Sequence, residues 1–322
     1  MVMPRRLRKI YDTTDAVELT FTTSERRFFL RPSKLVNAII AGVVAVAAER
    51  YGVGVISIVT LSNHMHLIVK VRDVEQQGLF AQFVEANIAT EINRLLGRRG
   101  HFWERRYMAI PIEGRAKLEE RMAYLLGQGV KEGLVSRVLH WPGLHFARAA
   151  MFGRVIKGLW YDRMKARELK KQGKKLRRKD WVRETELKLV PLPCWCDLPT
   201  AEHQAKVREM VQAIEAEARA NRTSPPLGPE AIKRQDPFSA PKTPRVSTPA
   251  PLVHAEGETF IRLRHAYREF KAAFRQAAEL LKQGIPIEQI PFPVGCFPPR
   301  HPMVRERPAP HAQPPPSACL PA

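Results

Sequence analysis

Cysteine is scarce in this sequence, which has four cysteines among 322 residues. That number is too small for a disulfide framework, so we expect a reducing, cytoplasmic compartment. No run of 18 or more apolar residues occurs, so no membrane span is predicted. The chain also lacks a GxxxxGK[ST] loop, the Gly-rich sequence that cradles the phosphates of ATP. A disulfide-stapled, membrane-spanning or Walker-type ATP-binding protein is therefore not indicated.

Acidic residues are few compared with basic ones. The chain has 53 Lys and Arg against 32 Asp and Glu, a formal net charge of +21. This balance favours a polyanionic partner, meaning nucleic acid or an anionic membrane surface. Nearly half of the excess lies between residues 154 and 183. We expect this basic run to bind DNA phosphates, with a plain solvated helix as the alternative; its central cations are Lys174, Lys175, Arg177 and Arg178.

Proline is rare before residue 223, where seven of the 27 prolines lie. The proline-poor part favours a compact domain, and the proline-rich part favours helices set in extended chain. We therefore predict a catalytic domain over 1–150 and a basic DNA-binding extension over 151–200. A helical, Pro-rich and partly disordered tail is predicted over 201–322.

Hydrophobic periodicity predicts the order β-α-β-β-α-β-α in the first domain. The predicted strands are 16–23, 53–60, 64–71 and 107–112, and the predicted helices are 33–52, 75–96 and 116–131. This order indicates an α+β fold, a ferredoxin-like antiparallel sheet with helices on one face. Two further amphipathic helices, 201–221 and 258–283, are predicted in the tail.

A pair of histidines, His64 and His66, lies inside the apolar third strand. Side chains at i and i+2 of a strand point to the same face. Two imidazoles held side by side form half of a site for a divalent metal. The alternative is a histidine pair on a solvated strand face without any ligand.

Tyr124 and Gln128 are four residues apart on the third predicted helix, so they share one helix face. The glutamine carbonyl oxygen is a candidate third metal ligand, and the tyrosine is a candidate nucleophile towards a metal-polarised phosphate. A plain amphipathic surface is the alternative. Gly127 and Gly129 flank Gln128, and each glycine costs about 1 kcal/mol inside a helix, so the helix is expected to loosen or end there.

The stretch SNHMHLIV at residues 62–69 resembles the HUH motif of single-tyrosine transposases. The stretches FWERRY at 102–107 and AYLL at 123–126 are similar to those of REP-associated tyrosine transposases and their insertion-sequence relatives. The resemblance covers about residues 5–150. It implies a ferredoxin-like fold and an enzyme that cuts single-stranded DNA without hydrolysis, in bacterial cytoplasm and at the nucleoid when bound.

The resemblance also implies roles for individual residues. His64, His66 and Gln128 match the metal ligands, with Mg²⁺ or Mn²⁺ as the ion. Tyr124 matches the nucleophile, which forms a 5′-phosphotyrosine with a free 3′-hydroxyl; the reverse reaction rejoins the strand. The implied partners are single-stranded or hairpin DNA and a second copy of the chain, with the two sheets paired edge to edge.

Tyr107 is the main rival for the role of nucleophile, and we interpret it as a structural or DNA-facing residue at a strand. Two arginine pairs are candidates for binding phosphates near the site, with solvated charges as the alternative. These pairs are Arg98 with Arg99 and Arg105 with Arg106.

Two other functions remain open from the sequence. A domesticated relative that only binds nucleic-acid hairpins would keep the fold, although the intact His64, His66 and Tyr124 disfavour it. An RNA-binding protein on a similar sheet is the second alternative, but the aromatic sheet motifs of such modules are missing.

Overall fold

The structure, a computed structural model, describes residues 15–242 and 251–296. The predicted disorder of the 201–322 tail falls in part on 243–250 and 297–322, which lie outside the described residues. The first fourteen residues of the predicted catalytic domain also lie outside them. Within the described ranges, no helix combines the length and apolar character that a membrane crossing requires.

A four-stranded antiparallel sheet forms the centre of the protein, with the strand order β2-β3-β1-β4. Along β1, Leu19 and Phe21 point into the core, whereas Glu18 and Thr20, which alternate with them, belong to the other face. The order and the antiparallel pairing confirm the predicted ferredoxin-like sheet. Its strands are β1 (Ala16–Thr22), β2 (Gly54–Thr60), β3 (His64–Lys70) and β4 (Met108–Ile112).

Two long helices, α1 (Lys34–Tyr51) and α2 (Val74–Leu95), pack side by side. The hydroxyl of Ser33 accepts a hydrogen bond from the Val36 amide and starts α1, and Gly52, at φ 64°, ends it, as the sequence predicts. Helix α2 lies on the core face of the sheet, because Gln77 reaches the hydroxyl of Tyr107, whose ring packs on Phe21.

Helix α3 (Arg115–Leu126) adds a helix on the opposite face of the sheet, where its Arg121 bonds to Glu18. It ends five residues earlier than predicted. At Gly129 the backbone has φ +86°, and an added Cβ would lie 2.7 Å from the Trp141 ring. The prediction that Gln128 lies on this helix is therefore wrong; the residue sits in the turn that follows.

The basic run contains a hairpin that the sequence analysis missed. Strands β5 (Ile156–Tyr161) and β6 (Val182–Leu187) pair antiparallel, with α5 (Arg163–Lys171) and α6 (Arg178–Trp181) between them. The hairpin covers the outer side of α1, whose residues 39–47 are all buried. A helix that is apolar all round needs burial on every side, and here it is enclosed by the central sheet layer and the hairpin.

Three of the remaining helices extend the same core, whereas Leu263 of the last one belongs to a separate small cluster with Val253. The remaining helices are α4 (Ala147–Phe152), α7 (Thr200–Ala220), α8 (Pro229–Lys233) and α9 (Gly257–Lys282). Helix α7 packs on α3 and α4, and the nearby Trp195 indole donates a 2.8 Å hydrogen bond to Glu119 of α3. Buried residues from β1 to Ile232 of α8 form one cluster. The domain boundaries at 150 and 200 stay predictions.

Helix α1 and strand β5 touch backbone to backbone at Gly42 and Gly158. A Cβ at Gly42 would lie 2.2 Å from the Leu159 carbonyl oxygen. We therefore expect Gly42→Ala to lower the free energy of unfolding by about 1–3 kcal/mol, the usual cost of overpacking, measured by urea denaturation. The control is Gly127→Ala, whose methyl meets only the flexible Lys131 side chain. It should change stability by about 0.5 kcal/mol or less; equal effects of both changes would contradict the close packing.

Candidate active site

The two histidines of β3 share one face of the sheet, as the alternation of the strand predicts. His64 lies opposite Thr22 and His66 opposite Thr20 of β1. The His64 and His66 ring centroids are 5.0 Å apart. The pair thus lies on the face of the sheet that carries α3, opposite the face that forms the core with α1 and α2.

Each imidazole has an acceptor on its Nδ1 atom. The His66 Nδ1 lies 3.0 Å from Glu18 Oε1, and the His64 Nδ1 lies 2.7 Å from Asn63 Oδ1. A carboxylate only accepts hydrogen bonds, so His66 donates from Nδ1; the same assignment follows for His64 with the amide oxygen. A bond from Nδ1 to an outer partner leaves Nε2 as the atom that can bind a metal, which is the arrangement found in metal-binding histidines.

His64 is held in its neutral form. Burial lowers its pKa well below the usual value, and the neighbouring His66 and Arg26 lower it further. A neutral imidazole is the form that binds a metal. The two histidines therefore fit a divalent ion as a pair, although among residues 15–242 and 251–296 no group of three or more His, Cys, Asp and Glu side chains is placed to hold one.

The carboxylate of Glu18 is the centre of the polar network. It is 2% exposed and accepts hydrogen bonds from His66 and from the Arg121 guanidinium, at 2.8 Å to Nε and 3.1 Å to one terminal nitrogen. Burial raises the pKa of Glu18, but the bonds from His66 and Arg121 outweigh it and bring the pKa to about 2. Glu18 is therefore ionised at neutral pH and ties β1 to both β3 and α3.

Tyr124 lies beside this network on α3. Its ring centroid is 6.1 Å from that of His66, and the Arg121 guanidinium lies 3.9 Å from the centre of its ring. The side chain remains accessible, with 38% of its surface exposed. The rival Tyr107 is 5% exposed and packs in the core, which agrees with its interpretation as a structural residue. The structure thus brings the tyrosine and the histidine pair together.

Gln128 is buried, with 3% of its surface exposed, in the turn after α3. Glu132 follows it and bonds to the amide of Gly129, close enough to His66 for an electrostatic interaction. Desolvation raises the pKa of Glu132 despite that bond. The turn therefore places the carboxylate of Glu132 near His66.

The C-terminal extension, the part of the tail after α8, contributes His254 to the site. Its amide donates to the Pro111 carbonyl, and its own carbonyl accepts from the Glu113 amide, so it adds a short parallel bridge to the edge of β4. The His254 Nε2 atom lies 3.6 Å from Glu18 Oε2. Burial, and then the charge of Arg121, lower the pKa of His254, so the ring is neutral at pH 7.

The candidate DNA-binding cations differ in their surroundings. Arg98 donates to Asn93 and His101, and its guanidinium lies 4.1 Å from the centre of the Phe29 ring, which gives it a structural role. The other seven are exposed side chains: Arg99, Arg105, Arg106, Lys174, Lys175, Arg177 and Arg178.

Sequence reasoning missed Glu18, Asn63, Arg121 and His254. Two of them had a visible signal, since Glu18 is a lone acidic residue in an apolar strand and Arg121 precedes Tyr124 by three residues, which makes them helix neighbours. Neither signal identifies the residue that the side chain contacts in the folded protein. His254 had none, because 190 residues separate it from His64 and only the folded chain places it beside Glu18.

Part of the chain is similar to known proteins. Residues 15–128 match the family described as "Transposase IS200 like", a segment that includes His64, His66, Tyr124 and Gln128. A solved REP-associated tyrosine transposase bound to a REP hairpin is similar, with 17% identity and a TM-score of 0.36; the match covers 47% of this chain and 85% of that one. A crystal structure of a candidate transposase from Deinococcus radiodurans R1 matches with 13% identity and a TM-score of 0.27, covering 38% and 95%. No curated protein matches significantly.

The depressed pKa of Glu18 predicts how stability depends on pH. Because its folded pKa of about 2 lies below the ordinary 4.5, ionised Glu18 stabilises the fold fully above pH 4.5, and this contribution is lost as the pH falls towards 2. Glu18→Gln removes this contribution, which is at most roughly 3 kcal/mol. The difference in free energy of unfolding between wild type and the variant should therefore decrease as the pH falls from 5 to 2. Urea denaturation across that range measures it; a difference that is constant with pH would contradict the ionised, paired state.

Proposed function

We propose that the protein cleaves and rejoins single-stranded DNA through Tyr124, on the premise that residues 15–128 match the family of IS200-like transposases. The observation that carries the proposal is the position of Tyr124, which is accessible, lies on α3 and is 6.1 Å from the nearer histidine ring. A nucleophile, a pair of metal-ligand side chains and a cation thus meet on one face of the sheet.

The reaction that fits these groups is a transesterification. The Tyr124 oxygen forms a bond to the scissile phosphorus, and the bond from phosphorus to the 3′ oxygen breaks. The phenolic proton passes to solvent, and the leaving oxygen takes up a proton to become a free 3′-hydroxyl. Because one phosphate ester replaces another, attack by a 3′-hydroxyl on the 5′-phosphotyrosine reverses the step and rejoins DNA without ATP.

The metal ligands in this proposal are the Nε2 atoms of His64 and His66, with the side-chain oxygen of Gln128 as the third. A bound Mg²⁺ or Mn²⁺ would polarise the phosphate for attack. Imidazole suits softer ions better than Mg²⁺, so the histidine pair favours Mn²⁺. The hydrogen bonds from Nδ1 to Glu18 and Asn63 keep both rings oriented for this task.

Arg121 holds the nucleophile in place. Its guanidinium is fixed by two hydrogen bonds to Glu18 and lies over the Tyr124 ring. A cation over an aromatic face is attracted by about 0.5–2 kcal/mol. The same carboxylate therefore orients a metal-binding histidine and, through Arg121, the tyrosine ring.

The proposed substrate is single-stranded or hairpin DNA. Exposed arginines follow α2 and precede β4, and a second basic surface lies on the β5–β6 hairpin. Basic side chains bind the phosphate backbone, and aromatic ones such as Trp181 stack on bases. A non-catalytic hairpin-binding relative is the second candidate function, and an exposed Tyr124 beside an intact histidine pair disfavours it.

A homodimer stays a prediction, and the sheet edges constrain how it forms. The outer edge of β2 is hydrogen-bonded to Leu144, Phe146 and Val190 of the same chain. The outer edge of β4 is bonded to His254. Because both edges already have partners, two copies can pair edge to edge only if one of these segments moves away.

Replacement of the nucleophile tests the chemistry. Tyr124→Phe should abolish the covalent protein–DNA adduct, because the ring keeps its packing but loses the attacking oxygen. The assay mixes the protein with single-stranded hairpin oligonucleotides from the flanks of its gene and Mn²⁺, followed by denaturing gels and mass spectrometry. Tyr107→Phe is the matched control and should retain the adduct. An adduct lost in Tyr107→Phe alone would overturn the assignment; tight binding without any adduct in wild type would favour the non-catalytic relative.

Weakening the support of His66 tests the metal site. Glu18→Gln should raise the Mn²⁺ concentration for half-maximal cleavage by about 10–100-fold, the usual effect of losing an outer partner of a metal ligand. The control is Glu91→Gln, which removes another buried carboxylate, paired with Arg163 away from the histidines. The same Mn²⁺ requirement in both variants would show that Glu18 does not support a metal ligand.

A further inference from the structure

Helix α9 (Gly257–Lys282) carries a row of cations that no other part of the proposed function uses. Arg264, Arg268, Lys271 and Arg275 recur at i, i+4, i+7 and i+11, and Lys282 follows at i+18. At 3.6 residues per turn these five lie within an arc of about 60° on the helix and span about 27 Å along it. We name them the α9 stripe.

The stripe is open to solvent, and its arginines form no ion pair with any residue that the structure describes. Arg264, Arg268 and Arg275 are exposed, and no carboxylate in the described part of the chain lies within ion-pair distance of them. Lys282 pairs with Glu279 at 3.0 Å, and the Lys271 ammonium lies 5.8 Å from the Tyr267 ring centre. Unpaired guanidinium groups in a row generate a field suited to a linear polyanion.

The apolar side of α9 is already buried within the protein. Leu263, Phe270 and Ala277, each seven residues from the next, are buried. The ring of Phe274 packs on Phe292 of the segment that follows the helix, with centroids 5.7 Å apart. A helix that binds a membrane surface inserts its apolar face. Because that face is covered here, the stripe favours a nucleic acid over a lipid surface.

The start of α9 is fastened next to the candidate active site. His254, three residues before the helix, is hydrogen-bonded to β4 and lies 3.6 Å from Glu18. Glu256 forms a 2.9 Å ion pair with Lys117 in the first turns of α3, the helix of Tyr124. Helix α9 therefore starts beside the tyrosine helix, and the stripe begins about 10 Å further along α9.

We propose that the α9 stripe binds the phosphate backbone of the DNA strand that flanks the cleavage point. The inference rests on the proposed function, because that function supplies the DNA at the neighbouring site. Cations on successive turns of α9 contact successive phosphates, and this contact adds affinity without reading bases. Longer flanks should accordingly bind more tightly than a short oligonucleotide that spans only the cleavage point.

The test compares two variants with the same loss of charge. Arg264→Gln/Arg268→Gln removes two cations of the stripe. Arg219→Gln/Arg262→Gln removes two exposed arginines outside it, one on α7 and one on the far side of α9, about 160° from Arg264. Fluorescence anisotropy with a long-flanked single-stranded oligonucleotide at several NaCl concentrations gives the slope of log Kd against log salt for each protein.

We expect the slope of the stripe variant to be smaller than that of wild type by about 1.4, since each lost phosphate contact on single strands removes about 0.7. The control variant should keep the wild-type slope. Equal slopes in the two variants would overturn the proposal, and so would equal affinity of wild type for long and short flanks. Circular dichroism verifies that both variants are folded.

Adduct formation separates this proposal from the proposed function. With a short oligonucleotide, the stripe variant should form the Tyr124 adduct as the wild type does. If wild type forms no adduct but the slope still falls in the stripe variant, the cleavage function fails and the DNA contact stands. If the adduct forms and the slope does not fall, the function stands and the stripe proposal fails.

Discussion

The buried carboxylate of Glu18 is the interaction on which the candidate site depends. It joins β1 to His66 of β3 and to Arg121 of α3, and His254 of the C-terminal extension lies beside it. A buried charge is costly unless it is paired and hydrogen-bonded, and here its partners come from separate elements. The charge is therefore stable only when strand and helix are correctly docked, which couples the integrity of the fold to the geometry of the site.

The site is also rigid because its parts belong to packed elements. The histidines lie on a central strand, the tyrosine lies on a helix supported by α7, and both sheet edges are covered by the same chain. Side chains on such elements are held more precisely than side chains on loops. The β5–β6 hairpin is fastened in turn through the contact of Gly42 with Gly158, so the basic surface keeps a fixed place relative to the core.

Much of the structure between residues 15 and 128 could be predicted from the sequence. Alternation in the strands, the Ser33 and Gly52 caps of α1 and the i, i+2 spacing of His64 and His66 are local properties, and the structure confirms the elements and the shared face. The residue at which α3 ends was harder to predict from the sequence. The glycines around Gln128 weakened the helix prediction, but the close approach of Trp141 to Gly129 explains why the chain must turn there. The metal ligands and the nucleophile stay predictions.

Local patterns in the chain thus establish the strands, the first helices, the histidine pair and the excess of positive charge, because each depends on neighbouring residues or on composition alone. The partners of those residues depend on folding. Glu18 meets His66 across 48 positions and Arg121 across 103, and the apolar α1 is enclosed by a hairpin that begins more than 100 residues later. Such pairings follow from strand register and layer packing, which bring together residues that no local period relates.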